Sequence, residues 1–274
     1  MLSPFAAGDG IFQRDAHYIR NVTQARVGTL PWYWACIALT WGLAGGRRDP
    51  LVTALAATAV ATMAPIVGHA GYATTDSPFV AVFLAVLVAW RRFVERPNWR
   101  GAAWLGLVTG FAIATKYSTL LFLPPVAIAI AAAQFWSSRR QRLPALFRIA
   151  TLRLLAIFAV VTLTTVWGSY GFRVGRMADL PPNFRSYGTF PTSSWPAVMG
   201  QWRIPAHEFV HGLLFLSAHT EAGHRSLMFG EFDQRGFLSY YPIVLAMKTP
   251  LPFILFAIVG CAALFRRRLI PNAP

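Results

Sequence analysis

Seven apolar runs, most of them near the length of a membrane span, constrain this chain more than any other feature of its sequence. They are Thr29 to Gly45, Leu51 to Tyr72, Pro78 to Trp90, Ala102 to Thr115, Ser118 to Trp136, Ala150 to Phe172 and Phe237 to Phe265. A helix needs roughly 20 residues to cross the hydrocarbon of a bilayer. The third run reaches that length only if its flanks join it, and the last can tilt or break at Pro250 and Pro252. Hydrophobic residues make up 55% of the chain and charged ones 13%, so a water-soluble globule of this composition would expose far more apolar surface than it could bury. The expected fold is all-α, a polytopic transmembrane bundle of about seven spans with an outer loop segment.

The charges between the runs decide how the bundle is oriented. Short cytoplasmic loops carry the arginine and lysine excess of a membrane protein. One alternation satisfies that rule throughout. Arg47 and Arg48, the Arg91 to Arg100 cluster, the Arg139 to Arg153 cluster and Arg266 to Arg268 share one side, with Asp49 and Glu95 their only acidic company. The opposite side receives nine arginines against eight acids. The formal net charge of +15 is therefore a consequence of topology, and nucleic acid is excluded as a partner. The predicted organisation is an outer N-terminal segment over 1–28, a six-span region over 29–172, an outer loop domain over 173–236, and a last span with a basic cytoplasmic tail over 237–274. Residues 1–28 lack the basic and apolar regions of a signal peptide, so insertion is expected to rely on the first span. Cys36 and Cys261 both fall inside apolar runs, where a small buried residue is the expected role.

Lys116 and Lys248 are the only lysines beside 23 arginines, and both interrupt apolar sequence. A charge there costs on the order of 2.5 to 3.5 kcal/mol on insertion scales, so each is expected to have a partner. The topology puts Lys116 at the outer interface. Lys248 lies about 12 Å along the last helix from the same side, and an anionic lipid headgroup can reach both. The plainer alternative is snorkelling for Lys116 and a structural ion pair for Lys248. On the same level Asp76 occupies a short turn between the second and third runs. A carboxylate there can serve as a general base or a metal ligand. The sequence Thr75-Asp76-Ser77-Pro78 equally suits a helix N-terminus. His69, about two turns earlier, reads either as a satisfied core histidine or as a member of the site.

Within 173–236 the motif His207-Glu208-Phe209-Val210-His211 would place two imidazoles on one helix face with a glutamate between them, the pattern of a zinc hydrolase. His219, Glu221, His224 and Glu231 are possible third ligands, and the flanks favour none of them. Five residues of this type recur by chance, and the zinc reading is the minor one. Asn21-Val22-Thr23 matches a glycosylation sequon and receives no role.

The motifs taken in order resemble a known family. Pro65-x-x-x-His69 is followed by Ala73-Thr74-Thr75-Asp76, then Gly106 to Gly110 leads into Thr115-Lys116-Tyr117-Ser118. Gly230-Glu231 and Tyr240-Tyr241-Pro242 precede Lys248-Thr249-Pro250-Leu251-Pro252. This set resembles the protein mannosyltransferase and aminoarabinose transferase branch of the GT-C glycosyltransferases, the glycosyltransferase family 39 type, from about Arg26 to Pro252. The resemblance implies a multi-pass enzyme of the bacterial inner membrane whose site faces the periplasm. Its partners would be a polyprenyl-phosphate-linked sugar donor, membrane lipid, and a protein, lipid or glycan acceptor. Asp76 and then Glu231 are the implied catalytic carboxylates. Lys116, Lys248 and Tyr117 would hold the lipid phosphate, with His69, Tyr240 and Tyr241 as further candidates. Tyr240, Tyr241, Trp195 and Trp202 can line a sugar or lipid groove, and an interfacial aromatic belt explains them equally well. No cofactor is certain, and a divalent metal is left open.

One departure from the pattern bears on activity. Family members have an earlier span followed by an outer loop whose acidic pair supplies the usual base. Here only the end of that loop is matched, by Arg14-Asp15-Ala16-His17-Tyr18 to Arg26, and neither Asp9 nor Asp15 sits in an Asp-Glu pair. The sequence is therefore expected to be a fragment, a chain with a mis-assigned start, or a degenerate copy. Two alternatives to transfer follow: a membrane protein that binds polyprenyl phosphate without turning it over, or a transporter.

Overall fold

The structure is a computed structural model describing residues 18–45, 49–137, 149–177, 200–222, 226–233 and 236–269. Each of the seven apolar runs is helical, and two of them are broken. In chain order the helices are α1 (Tyr18–Val27), α2 (Leu30–Leu43), α3 (Pro50–Thr62), α4 (Ala64–Ala70), α5 (Asp76–Glu95), α6 (Trp99–Thr115), α7 (Ser118–Ser137) and α8 (Ile149–Ser169). Next come β1 (Val174–Arg176), β2 (Arg203–Pro205), α9 (His207–Ala222), β3 (Ser226–Met228), β4 (Glu231–Asp233), α10 (Tyr240–Lys248) and α11 (Leu251–Leu269).

By length and composition α5 and the Leu152–Ser169 part of α8 can each cross a bilayer, and the bent pairs α3–α4 and α10–α11 can each do so as one broken span. Their apolar surfaces are outward and exposed, as on α11, where Leu255, Phe256, Ile258 and Val259 are all exposed. Lipid, not protein, is the solvent for such faces. The fold is that of an all-α membrane protein.

The breaks have identifiable causes. Pro65 cannot donate to the carbonyl four residues before it and its ring pushes against that group. The carbonyl belongs to Ala61, and the Tyr33 hydroxyl of α2 donates to it at 2.7 Å. Met63 takes an extended conformation, and α4 leaves α3 at 58°. Thr29 closes the same corner, its hydroxyl lying 2.7 Å from both the Arg26 and the Ala70 carbonyls. In the last run the chain turns by 108° between α10 and α11. Lys248 therefore ends a short helix, eight residues past Tyr240 and just before the break that Pro250 allows.

The bundle is a row of neighbours in the order α3, α2, α5, α6, α8. Its best-covered member is α6, where Ala102, Leu105, Gly106, Val108, Thr109, Gly110 and Ala112 are buried. Val86 and Ala89 of α5 meet Leu105, Val108 and Ala112 there. On the other side Gly106 and Gly110 let α8 approach closely: a Cβ on Gly106 would stand 2.7 Å from the Phe158 carbonyl oxygen, and one on Gly110 2.5 Å from the Thr165 Cβ. Glycines four apart are a common means of bringing membrane helices together. The Thr162 hydroxyl lies 3.2 Å from the Gly106 carbonyl oxygen across the same seam.

The two faces of the bundle on which the helices end differ in chemistry. On one face Arg91 donates to the Leu43 carbonyl at 2.9 Å and to Glu95 at 3.0 Å, Asp49 caps α3 through the Val52 amide, and Asn98 caps α6 through the Gly101 amide. The other face holds His69, Asp76 and Lys116.

Candidate active site

Three helix ends converge to make the site. The kink at Pro65 turns α4 so that His69 faces the start of α5, where Asp76 is the first helical residue. Thr75 holds the N-cap position without a side-chain cap bond, and the Asp76 carboxylate serves Lys116 and His69. A carboxylate in the first turn is also favoured by the partial positive charge of the helix N-terminus. Lys116, just past the end of α6, completes the group. Its Nζ donates to Asp76 Oδ1 at 2.5 Å, and His69 Nδ1 lies 3.5 Å from Asp76 Oδ2. The ammonium is also 5.8 Å from the centroid of the Phe79 ring.

The trio borders a cleft of about 490 Å³. Its walls are mainly apolar, with Pro65, Ile66, Phe79, Val80, Leu121 and Phe122 prominent. Tyr33, Cys36, Ser77, Ser118 and Tyr241 supply the remaining lining. The side chains of Asp76, Lys116 and His69 keep 35%, 39% and 50% of their surface exposed, so the charged pair is accessible to a ligand. A mostly apolar cleft with a few converging polar groups is the usual form of a small-molecule site. His69 and Asp76 offer two donors to a divalent metal. Among the described residues no group of three or more His, Cys, Asp or Glu is placed to hold one.

The sequence model for dolichyl-phosphate-mannose-protein mannosyltransferases matches residues 17–167, more than half of the chain. The chain belongs to this mannosyltransferase family. It is accordingly a membrane protein of a glycosyltransferase family. No curated protein and no solved structure matches the chain.

The family match contains His69, Asp76, Lys116 and Tyr117 and ends before Glu231, Tyr240, Tyr241 and Lys248. The geometry divides the mannosyltransferase candidates along similar lines. Glu231 opens β4, opposite Met228 across a two-residue turn in which Phe229 and Gly230 both have positive φ. It is exposed and is not part of the cleft lining. Lys248 is exposed at the end of α10 and also lies outside the lining. Tyr241 does reach the cleft, from the first turn of α10, with Tyr240 packed against its ring at 5.6 Å. Trp202 is exposed, and Trp195 lies outside the described residues.

Tyr117 follows Lys116 yet is not part of the cleft lining. Its hydroxyl lies 3.2 Å from the Phe209 carbonyl oxygen, to which it donates, and 3.3 Å from the Tyr170 hydroxyl. Burial, and then the Tyr170 hydroxyl, push its pKa well above the ordinary phenol range, so it stays a neutral donor.

The His207-to-His211 motif starts α9, but both histidines serve packing. His211 is 1% exposed, and its Nε2 lies 2.9 Å from the Met177 carbonyl oxygen. The His207 ring lies against Gly175 of β1, where a Cβ would come within 2.4 Å of it. Glu208 lies 3.0 Å from His207 and 3.6 Å from Arg173. His219, Glu221 and His224 have no described side chains.

Tyr33, Cys36, Ser77 and Ser118 are cleft residues that the sequence reading did not single out as site residues. Tyr33 and Cys36 are three apart on α2 and so share a helix face. The two serines adjoin residues already singled out, and both have buried hydroxyl oxygens with no hydrogen-bond partner.

Proposed function

We propose that this chain transfers a sugar from a polyprenyl-phosphate carrier to an acceptor hydroxyl at the outer face of a bacterial inner membrane. The observation that carries the reading is the Lys116–Asp76 pair bordering an apolar-walled cleft, within the part of the chain that matches the mannosyltransferase family. A polyprenyl carrier presents a phosphate fixed at the membrane surface with an apolar tail attached. Lys116 suits the phosphate and the cleft walls suit the first isoprene units.

The reaction follows from how the pair would share its charges. An arriving phosphate gives the ammonium a second anion, which loosens Lys116 from Asp76 Oδ1. The freed carboxylate oxygen accepts the proton of the acceptor hydroxyl as the oxygen attacks the anomeric carbon. The bond from that carbon to the phosphate oxygen breaks, and its electron pair stays on the phosphate, where Lys116 neutralises the growing charge. The products are a glycosidic bond, polyprenyl phosphate and a protonated Asp76 that returns its proton to solvent. His69 at 3.5 Å holds the second carboxylate oxygen and keeps the reactive one turned toward the cleft.

The test is transfer of radiolabelled sugar, beginning with undecaprenyl-phosphate-mannose, to membrane acceptors by the purified chain in bilayer discs. Asp76→Asn is expected to lower transfer about 100-fold or more while donor binding persists, and Lys116→Ala to weaken both. Binding of the lipid phosphate without transfer of any sugar would replace this reading with that of a non-catalytic polyprenyl-phosphate-binding protein.

A further inference from the structure

The junction between α6 and α7 is two residues long, Lys116 and Tyr117, and its two side chains serve different bodies. Lys116 has an extended backbone, with φ −157° and ψ 128°. Successive side chains of an extended segment leave on opposite sides, so fixing one fixes the direction of the other. Lys116 goes to Asp76 in the cleft, and Tyr117 goes to α9.

The seat for Tyr117 on α9 is closely fitted. Its ring lies 5.1 Å from that of Phe209, and Tyr170 meets the same Phe209 ring edge-on at 6.1 Å. The hydroxyl reaches the Phe209 carbonyl. One helical turn on, at Gly212, a Cβ would stand 2.0 Å from the Tyr117 hydroxyl oxygen. The phenol therefore rests on bare backbone, and no residue but glycine leaves it room. α9 is itself held apart from Tyr117, through the Ala206 amide to the Arg173 carbonyl, His207 on Gly175 and His211 at the Met177 carbonyl.

We propose that Tyr117 is a positioning residue which takes its place from Gly212 and Phe209 of α9 and thereby aims Lys116 into the cleft. α9 then sets affinity for the donor phosphate through Tyr117. This rests on the reading that Lys116 meets that phosphate.

The experiment measures equilibrium binding of undecaprenyl phosphate, and KM and kcat for transfer, in bilayer discs carrying the full chain. Tyr117→Phe keeps the ring and removes one donor. It is expected to raise Kd and KM about fivefold, as for the loss of one hydrogen bond, with kcat within about twofold. Gly212→Ala pushes the seat away and is expected to act in the same direction and more strongly, about tenfold or beyond. In a Lys116→Ala background neither change should alter the remaining Kd, because the cation they place is gone. Equal losses in both backgrounds would overturn the proposal and leave Tyr117 a purely structural residue. Unchanged Kd in Tyr117→Phe with Lys116 present would overturn it too, even if Gly212→Ala fails to fold. If Lys116→Ala itself leaves binding of undecaprenyl phosphate intact, the donor-site reading fails and the positioning role falls with it.

Discussion

Two clusters in this molecule are built from the same parts, a histidine, a carboxylate and a cation, and they come to opposite ends. His69, Asp76 and Lys116 border a cleft where three helix ends meet, and keep 35% to 50% of their side-chain surface exposed. His207 and Glu208 are 15% and 26% exposed, and the imidazole fills the space above Gly175. Chemical inventory alone would favour the second cluster, because it carries the better-known motif. What separates them is the empty volume beside the charged groups and the elements that meet there. The first set stands at the ends of separate helices, beside a cleft that no described residue fills. The histidine and glutamate of the second belong to a single turn of α9 packed against β1, and Arg173 reaches Glu208 from the residue before that strand.

The contrast breaks first at the carboxylates. Asp76→Asn is expected to reduce sugar transfer by about 10² to 10⁴, whereas Glu208→Gln should leave transfer within a few-fold of the parent chain, measured in the same radiolabel assay. Comparable losses at both positions would erase the distinction. A second break lies at His211. It is buried and meets the Met177 carbonyl, so His211→Ala leaves that carbonyl without this contact and opens a cavity. A cost of about 2 to 4 kcal/mol in unfolding free energy is expected, seen as a lower Tm. Added zinc should not raise the Tm of the parent chain, as a structural zinc site would require. Third, Gly175→Ala should cost about 1 to 3 kcal/mol through overpacking against His207, read as a fall in Tm.

The helices of this fold were legible in the sequence because apolar runs declare themselves by length, and all seven proved helical, but among the described residues two of them, or four with the bent pairs, are long and apolar enough to cross a bilayer. The breaks were half legible. Pro65 and Pro250 mark where a helix can fail, but the angles depend on partners distant in sequence, such as the Tyr33 hydroxyl that satisfies Ala61. Placing Asp76 and Lys116 at one level needed only the alternation of arginine-rich loops. Their direct contact was not foreseen: an anionic lipid headgroup or snorkelling was expected for Lys116, and its partner is Asp76. Tyr117 shows the limit of that logic. Its position beside Lys116 suggested a shared ligand, yet its partners are Phe209 and Gly212 on α9, and no local pattern reveals a glycine seat so far along the chain. The His207 motif misleads for the converse reason: helical spacing puts both imidazoles on one face, but only tertiary packing decides whether that face meets a metal or a backbone carbonyl.

The smallest expected effect sharpens the comparison most, because it concerns the two cations. Arg173 Nη1 stands 3.6 Å from Glu208 Oε1, and its side chain is 65% exposed. Water and salt screen such a pair, and exposed ion pairs contribute about 0 to 1 kcal/mol. Arg173→Ala should therefore lower Tm barely or not at all, and should leave undecaprenyl phosphate binding within about twofold, since solvent already satisfies most of the guanidinium. Lys116→Ala removes a cation of lower exposure that faces an apolar-walled cleft, where less water competes for the phosphate. Its binding loss should be at least about tenfold and should persist at salt concentrations that erase any effect of Arg173. If raising salt abolishes both differences equally, the cleft screens its charges no less than open solvent does, and what distinguishes the two clusters would be shape alone.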